Sequence, residues 1–112
     1  MNAVNPRPLH HNVYVIELHE DVRQVARFAR ANPNARLDKP CLYVGVTGRT
    51  PEDRFAKHKA GIQCCTLVKN FWVRLRPRFF ERFNPMSYRD AAKMEIELAR
   101  RLRKRGFAVW QN

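Results

Sequence analysis

The chain has 112 residues, enough for one domain with a modest core and too few for a second module. Its 22 Lys and Arg residues outnumber 10 Asp and Glu residues, and the resulting charge of +12 is spread along the chain rather than gathered in one tail. Such a surface favours a polyanionic partner, above all a nucleic acid, with binding that weakens as salt rises. The alternative is that the charge serves solubility or the binding of ribosomal-type RNA.

The composition also argues against a membrane segment and a disulfide framework. The sequence contains no run of about 18 apolar residues, and its N-terminus lacks the apolar stretch of a secretion signal, so we expect a cytoplasmic protein. The three cysteines, Cys41, Cys64 and Cys65, are an odd number without a Cys-x-x-Cys pair. We therefore expect free thiols rather than a zinc site shared with His10 and His11.

The first half of the chain predicts an arm, two strands and a helix. Residues 1–10 are basic, contain two prolines and lack periodicity, so we expect a flexible arm before one domain over 11–112. Residues 11–18 are rich in β-branched and aromatic side chains and predict a strand. Apolar residues at helical spacing predict a helix over 22–31. A second apolar run, 41–46, predicts a second strand that ends in a turn.

The second half predicts a further strand between two helices. Thr50 is a favourable N-cap before Pro51, and the helix that it begins should end at Gly61. Alternating residues 71–75 predict a third strand. The most regular helical pattern covers 87–105 and stops at a glycine, and the apolar segment 107–110 should dock after it.

Two acids of the last predicted helix differ in their surroundings. At about 100° per residue, Glu95 falls in the middle of an apolar arc, whereas Glu97 falls among basic residues on the other side. A carboxylate on a core-facing stripe is costly unless a cation compensates for its lost hydration. The compensating group is either a metal ion or an arginine, and Arg54 is the candidate for a structural ion pair.

Arg54 and His58 are four residues apart, so their side chains leave one face of the predicted helix. Arginine can hold a phosphate through two parallel hydrogen bonds, and histidine can move a proton near neutral pH. Taken alone, such a pair is common on surface helices.

The first predicted strand contains Tyr14, and the second contains Tyr43-Val44-Gly45. Together with Arg54, His58 and Glu95, these motifs resemble the GIY-YIG nuclease family. That family has a tyrosine in a first strand, Tyr-x-Gly in a second strand followed by Gly-x-Thr or Ser, an Arg and a nearby His, a helical Glu, and often a late Asn. The counterparts here are, in chain order, Tyr14, Tyr43, Gly45, Thr47, Arg54, His58, Glu95 and Asn112. Asn12 stands in place of the first glycine of the motif, and Val44 in place of its isoleucine. The segment between the two tyrosine strands is longer than the family's usual hairpin.

The resemblance implies a small α/β domain with a central three-stranded antiparallel sheet flanked by helices. It also implies that Tyr14, Tyr43, Arg54, His58 and Glu95 are catalytic, with one Mg²⁺ or Mn²⁺ ion on Glu95. Few acids are available for a two-metal centre, which agrees with a single ion.

In the mechanism so implied, a tyrosine or His58 deprotonates the attacking water, while Arg54 holds the phosphate. A free tyrosine is a weak base at neutral pH, so we expect Arg54, Lys57 or the metal to lower the pKa of the tyrosines. Gly45, Thr47, Lys57 and Asn112 are candidate substrate-binding residues.

The sequence leaves three functions open. The first is a metal-dependent DNA endonuclease of low or structure-directed specificity, or one whose specificity comes from a protein partner. The second is a basic nucleic-acid-binding module that keeps the nuclease fold without independent turnover. The third is an RNA-binding or ribosome-associated protein.

Overall fold

A computed structural model describes residues 9–111 of the chain. Within this range the fold is α/β, with one four-stranded mixed sheet in the order β3-β1-β2-β4. The strands are β1 (Asn12–Leu18), β2 (Cys41–Thr47), β3 (Trp72–Leu75) and β4 (Ala108–Gln111). The helices are α1 (Ala26–Ala31), α2 (Pro51–Lys59), α3 (Thr66–Phe71) and α4 (Tyr88–Lys104).

The expected α/β class is confirmed, but the expected three-stranded antiparallel sheet is wrong in detail. β1 pairs antiparallel with both β2 and β3, and β4 adds a parallel fourth strand beside β2. The segment predicted to dock behind the last helix is this strand. Parallel neighbours need a long crossover connection, and the chain between β2 and β4 includes three helices that provide one.

Local side-chain chemistry sets the two helices that carry candidate site residues. The Thr50 hydroxyl accepts a hydrogen bond from the Asp53 amide at 3.0 Å and caps α2, as predicted. The helix closes before Gly61, whose φ of +75° is the left-handed conformation that glycine adopts without a Cβ penalty. In the same way, Ser87 caps α4 at the Asp90 amide.

The helix predicted over 22–31 is wrong in extent. Residues Glu20–Gln24 form a 3-10 turn, and Val25 has extended backbone angles before α1 begins at Ala26. The segment after α2 contains the short helix α3, which the sequence pattern did not predict. The strand predicted over 71–75 is confirmed as β3.

The register of β1 against β2 fixes the centre of the molecule. Tyr14 lies opposite Gly45, and Ile16 lies opposite Tyr43. Because alternate residues of a strand point to the same side, both tyrosines and Gly45 share one face of the sheet. Buried residues from all four strands and from α4 pack around this sheet.

The part of the chain that the structure describes contains no helix long and apolar enough to cross a membrane. The three cysteines are free thiols, as expected, and Cys41 is buried.

Candidate active site

Tyr14 and Tyr43 lie together on the sheet, with ring centroids 6.0 Å apart. Tyr14 occupies this position only because residue 45 is glycine. A Cβ at Gly45 would lie 2.5 Å from both Cζ and the hydroxyl oxygen of Tyr14. Gly45, which we expected to bind substrate, therefore makes room for the tyrosine, and this spatial role is the one that the structure gives it.

His58 completes the tyrosine pair from the C-terminal turn of α2. Its Nε2 atom lies 2.8 Å from the Tyr14 hydroxyl, and its ring centroid is 5.6 Å from that of Tyr43. The side chain is 0% exposed. Its Nδ1 atom has no hydrogen-bond partner among the described residues. We call Tyr14, Tyr43 and His58 the Tyr-His cluster.

Burial dominates the electrostatics of the Tyr-His cluster. Burial and then the Arg54 charge lower the pKa of His58 to about 4, so the imidazole is neutral at pH 7. Burial raises the pKa of Tyr14 to about 12, although the Arg54 charge acts in the opposite direction. The expectation that Arg54 lowers the pKa of the tyrosines below their ordinary value is wrong for the protein alone, because lost hydration outweighs the cation.

The two tyrosines are not equivalent. Burial, followed by the neighbouring Tyr14, raises the pKa of Tyr43 further than that of Tyr14. The contact between them lowers the pKa of Tyr14 and raises that of Tyr43. Both tyrosines therefore hold their protons at neutral pH, and Tyr14 is the one that is hydrogen-bonded to His58.

Arg54 connects the Tyr-His cluster to a basic cavity on the surface. Its guanidinium donates to the carbonyls of Ile62 and Gln63, at 3.4 and 2.6 Å, while its charge acts on both Tyr14 and His58. The cavity is about 660 Å³ in volume. We call it the Arg54 cavity; its lining residues are Val46, Thr47, Gly48, Arg49, Arg54, Lys57 and Gln63.

Two expected substrate-binding residues, Thr47 and Lys57, thus lie beside Arg54. The Thr47 hydroxyl accepts a hydrogen bond from the Arg49 amide at 3.0 Å, which shapes the turn after β2. Arg49 itself adds a cation to the cavity and was missed in the sequence. A basic residue directly after the Thr47-Gly48 turn is the signal that could have revealed it.

Glu95 borders the same group of residues from α4. Its charge raises the pKa of both Tyr14 and Tyr43. The side chain is half-buried, and burial raises the pKa of its own carboxyl group. Within residues 9–111 this carboxylate has neither a hydrogen bond nor an ion pair, so the alternative of a structural pair with Arg54 is not realised there.

Glu97 shows the contrast that the helical pattern predicted. It accepts hydrogen bonds from Arg100 at 2.6 Å and from Arg101 at 2.9 Å. These two contacts lower the pKa of Glu97 to about 2. The two acids of one helix therefore differ as expected, since only Glu97 has its charge compensated by arginine.

Asn84 is a further residue that sequence reasoning missed. Its side chain accepts a hydrogen bond from the Val13 amide at 2.9 Å and donates to the Val13 carbonyl at 2.7 Å. The Asn84 side chain thus bonds both backbone groups of Val13, as a neighbouring strand would, and Val13 directly precedes Tyr14 in β1. Asn112, the remaining expected site residue, lies outside the described residues, as does most of the expected arm over 1–10.

Searches of protein-family models, curated proteins and solved structures found no match to this chain. The function is therefore inferred from its residues and their geometry.

Proposed function

We propose that the chain is a divalent-metal-dependent endonuclease that hydrolyses DNA phosphodiester bonds, with a centre of the GIY-YIG type. One observation carries this proposal: residues far apart in the sequence meet around Tyr14. His58 is hydrogen-bonded to Tyr14, Tyr43 packs beside it, and the charges of Arg54 and Glu95 act on its hydroxyl. A structural core has no need of so many ionisable groups at one point, and perturbed groups beside a cavity are typical of catalytic centres.

The donor chemistry of Glu95 suits Mg²⁺ or Mn²⁺. A half-buried carboxylate without a protein cation gains stability when a metal ion replaces its lost hydration. Among residues 9–111 no group of three or more His, Cys, Asp or Glu side chains could hold an ion together. Mg²⁺ commonly takes one or two carboxylates plus waters and phosphate oxygens, so a single glutamate is an adequate protein ligand for it. When bound, the ion would supply Lewis-acid stabilisation of the departing 3′ oxygen.

The Tyr-His cluster would provide the base. Neutral His58 can accept the Tyr14 proton on Nε2 while the Tyr14 oxygen takes a proton from the attacking water. The water oxygen then forms a bond to phosphorus as the bond from phosphorus to the 3′ oxygen breaks. Tyr43 remains protonated and orients the Tyr14 oxygen.

Arg54 and the cavity beside it would bind the phosphate. Two donors of Arg54 are held by loop carbonyls, and the guanidinium has further N–H groups for the non-bridging phosphate oxygens. Arg49 and Lys57 line the same cavity and can neutralise neighbouring phosphates. Their contribution would be electrostatic and independent of base sequence.

The test is incubation of the pure protein with supercoiled, branched and flapped DNA in the presence of Mg²⁺, Mn²⁺ or EDTA. We expect nicking that requires the metal and stops in EDTA. Binding without cleavage on every DNA would instead favour the basic nucleic-acid-binding module. Tighter retention on structured RNA than on any DNA would favour an RNA-binding protein.

A further inference from the structure

A second basic cavity occurs away from the Tyr-His cluster. It is about 380 Å³ in volume and is lined by the segment after β3, by the C-terminal half of α4 and by Arg105, the C-cap of that helix. None of its lining residues lines the Arg54 cavity. We call it the arginine groove; its lining residues are Arg76, Arg78, Phe79, Arg82, Leu98, Arg101, Leu102 and Arg105.

The charge of the arginine groove is only partly compensated by acids. Arg76 pairs with Glu17 at 2.7 Å, and Arg101 pairs with Glu97 at 2.9 Å. In the described part of the chain the other three arginines of the groove, Arg78, Arg82 and Arg105, form no ion pair, and no acid lines the groove. Three exposed cations close together repel one another, so the groove favours an anion with several charges.

Aromatic rings lie close to three of the five guanidinium groups of the groove. The Cζ atoms of Arg76 and Arg105 lie 5.0 and 5.9 Å from the ring centroid of Phe79. The Cζ atom of Arg82 lies 4.5 Å from the ring centroid of Phe83. A guanidinium that packs against an aromatic ring keeps N–H groups for hydrogen bonds, and the contact restricts its position before a ligand arrives. This is the arrangement expected of a site for phosphate oxygens.

We propose that the arginine groove binds the phosphate backbone of a DNA arm beyond the scissile bond. The choice of DNA rests on the proposed function. The groove would add affinity without taking part in the chemistry, since none of its lining residues belongs to the Tyr-His cluster or to the Arg54 cavity. A substrate that reaches both cavities must extend over two separate parts of the surface, which a branched or flapped DNA can do.

The test compares two double substitutions that remove the same charge. Arg78→Ala with Arg82→Ala removes two of the arginines that line the groove. The control, Arg27→Ala with Arg30→Ala, removes two exposed cations of α1. Binding of fluorescein-labelled branched DNA is measured by anisotropy in EDTA over a range of salt concentrations. We expect the groove variant to bind at least about tenfold more weakly. We also expect its salt slope to fall by about 0.9 for each phosphate that the variant no longer neutralises.

The control variant should change affinity by less than about threefold, and Arg78→Lys with Arg82→Lys should retain most of the salt slope. Equal losses in the groove and control variants, or an unchanged affinity in the groove variant, would overturn the proposal. So would a larger loss on an RNA duplex than on DNA. If the alanine variant does not fold, Arg78→Gln with Arg82→Gln, which removes the same two charges and keeps polar side chains of intermediate length, is measured against the same control and with the same expected loss.

This experiment is independent of cleavage because EDTA removes the metal. If the groove variant binds DNA more weakly but the wild type never nicks DNA, the proposed nuclease is refuted and the proposed DNA-binding role of the groove stands. If the wild type nicks DNA but the groove variant binds DNA with unchanged affinity, only the DNA-binding role of the groove is refuted.

Discussion

Gly45 is the residue that permits the contact between Tyr14 and the second strand. A methyl group at this position would overlap the tyrosine ring, so we expect Gly45→Ala to destabilise the protein by about 1–3 kcal/mol and to displace the Tyr14 hydroxyl. Nicking should fall with it. Gly48→Ala is the matched control, because its Cβ would lie 3.4 Å from the His11 ring. Urea denaturation of both variants and a nicking assay of Gly45→Ala check this, and equal stability of the two variants would contradict the packing role.

The ionised side chain of Glu95 should lower the free energy of unfolding of the metal-free protein. Its pKa is raised, so its charged form is disfavoured in the fold, and its contribution to stability is lost as pH rises through that value. We therefore expect Glu95→Gln to melt at the same or a higher temperature than the wild type at pH 7 without added metal. Glu97→Gln should melt lower, because its ion pairs with Arg100 and Arg101 are removed. Calorimetry measures both, and a clear loss of stability in Glu95→Gln would indicate a structural partner.

His58 gives the protein a predictable acid sensitivity. The folded-state pKa of about 4 is below the ordinary 6.5, so the unfolded chain binds the proton more readily between these values. The stability that neutral His58 contributes is fully present above about pH 6.5 and is lost as the pH falls toward 4. Lowering the pH from 7 to 4.5 should reduce the free energy of unfolding by roughly 2–3 kcal/mol through protonation of this group.

Urea denaturation of the wild type and of His58→Gln at both pH values isolates that contribution. The variant should lose less stability than the wild type over the same interval. An equal loss in the two proteins would mean that His58 titrates normally in the fold.

Several properties of these residues could be predicted from the sequence, and others could not. The helical period distinguished Glu95 from Glu97, because a 100° spacing assigns each acid to a face without further information. The order of the burial and charge effects on Tyr14 was unpredictable, since it depends on how many atoms from other elements exclude water from the hydroxyl. The spatial role of Gly45 likewise depends on the register between two strands.

At the scale of elements, local signals predicted those parts of the fold that begin and end with caps. Thr50 and Gly61 mark the two ends of α2, and Ser87 and Gly106 mark those of α4. Both helices therefore agree closely with the limits predicted from the sequence. α3 is only six residues long and has no side-chain cap, so it gave no pattern. β4 is four residues long, and so short an apolar run does not reveal which strand it will join.

The edge formed by β4 depends on Asn32. Its side chain accepts a hydrogen bond from the Val109 amide at 2.8 Å and donates to the Val109 carbonyl at 3.0 Å. Replacement by alanine leaves the buried Val109 amide without this partner, which costs about 1–3 kcal/mol, whereas the Val109 carbonyl keeps a hydrogen bond from Arg103 at 2.8 Å. We therefore expect Asn32→Ala to lower the free energy of unfolding by about 1–3 kcal/mol, whereas replacement of the exposed Asn34 by alanine should change it little. Comparable urea midpoints for the two variants would contradict this role of Asn32.

At the scale of the whole molecule, the proposal joins two kinds of feature. The net charge of +12 gives general attraction to a polyanion, and the Arg54 cavity and the arginine groove concentrate that charge at two places. Composition predicts an attraction to polyanions, but the sequence could not show where the cations gather. Arg76 and Arg105 are distant in the chain and meet only because β1, β3 and α4 pack around one core. Attraction alone would make the protein a nucleic-acid-binding protein, and the proposal of a nuclease rests on the residues around Tyr14.

The most direct test of the central claim is single-turnover nicking of supercoiled DNA with Mg²⁺ by the wild type, Glu95→Gln and Glu97→Gln. Loss of transition-state stabilisation by several kcal/mol predicts that Glu95→Gln is at least about 100-fold slower. Its DNA affinity in EDTA should be unchanged, and Glu97→Gln should cut at nearly the wild-type rate. Cleavage by Glu95→Gln at the wild-type rate, or no metal-dependent cleavage by the wild type, would contradict the account.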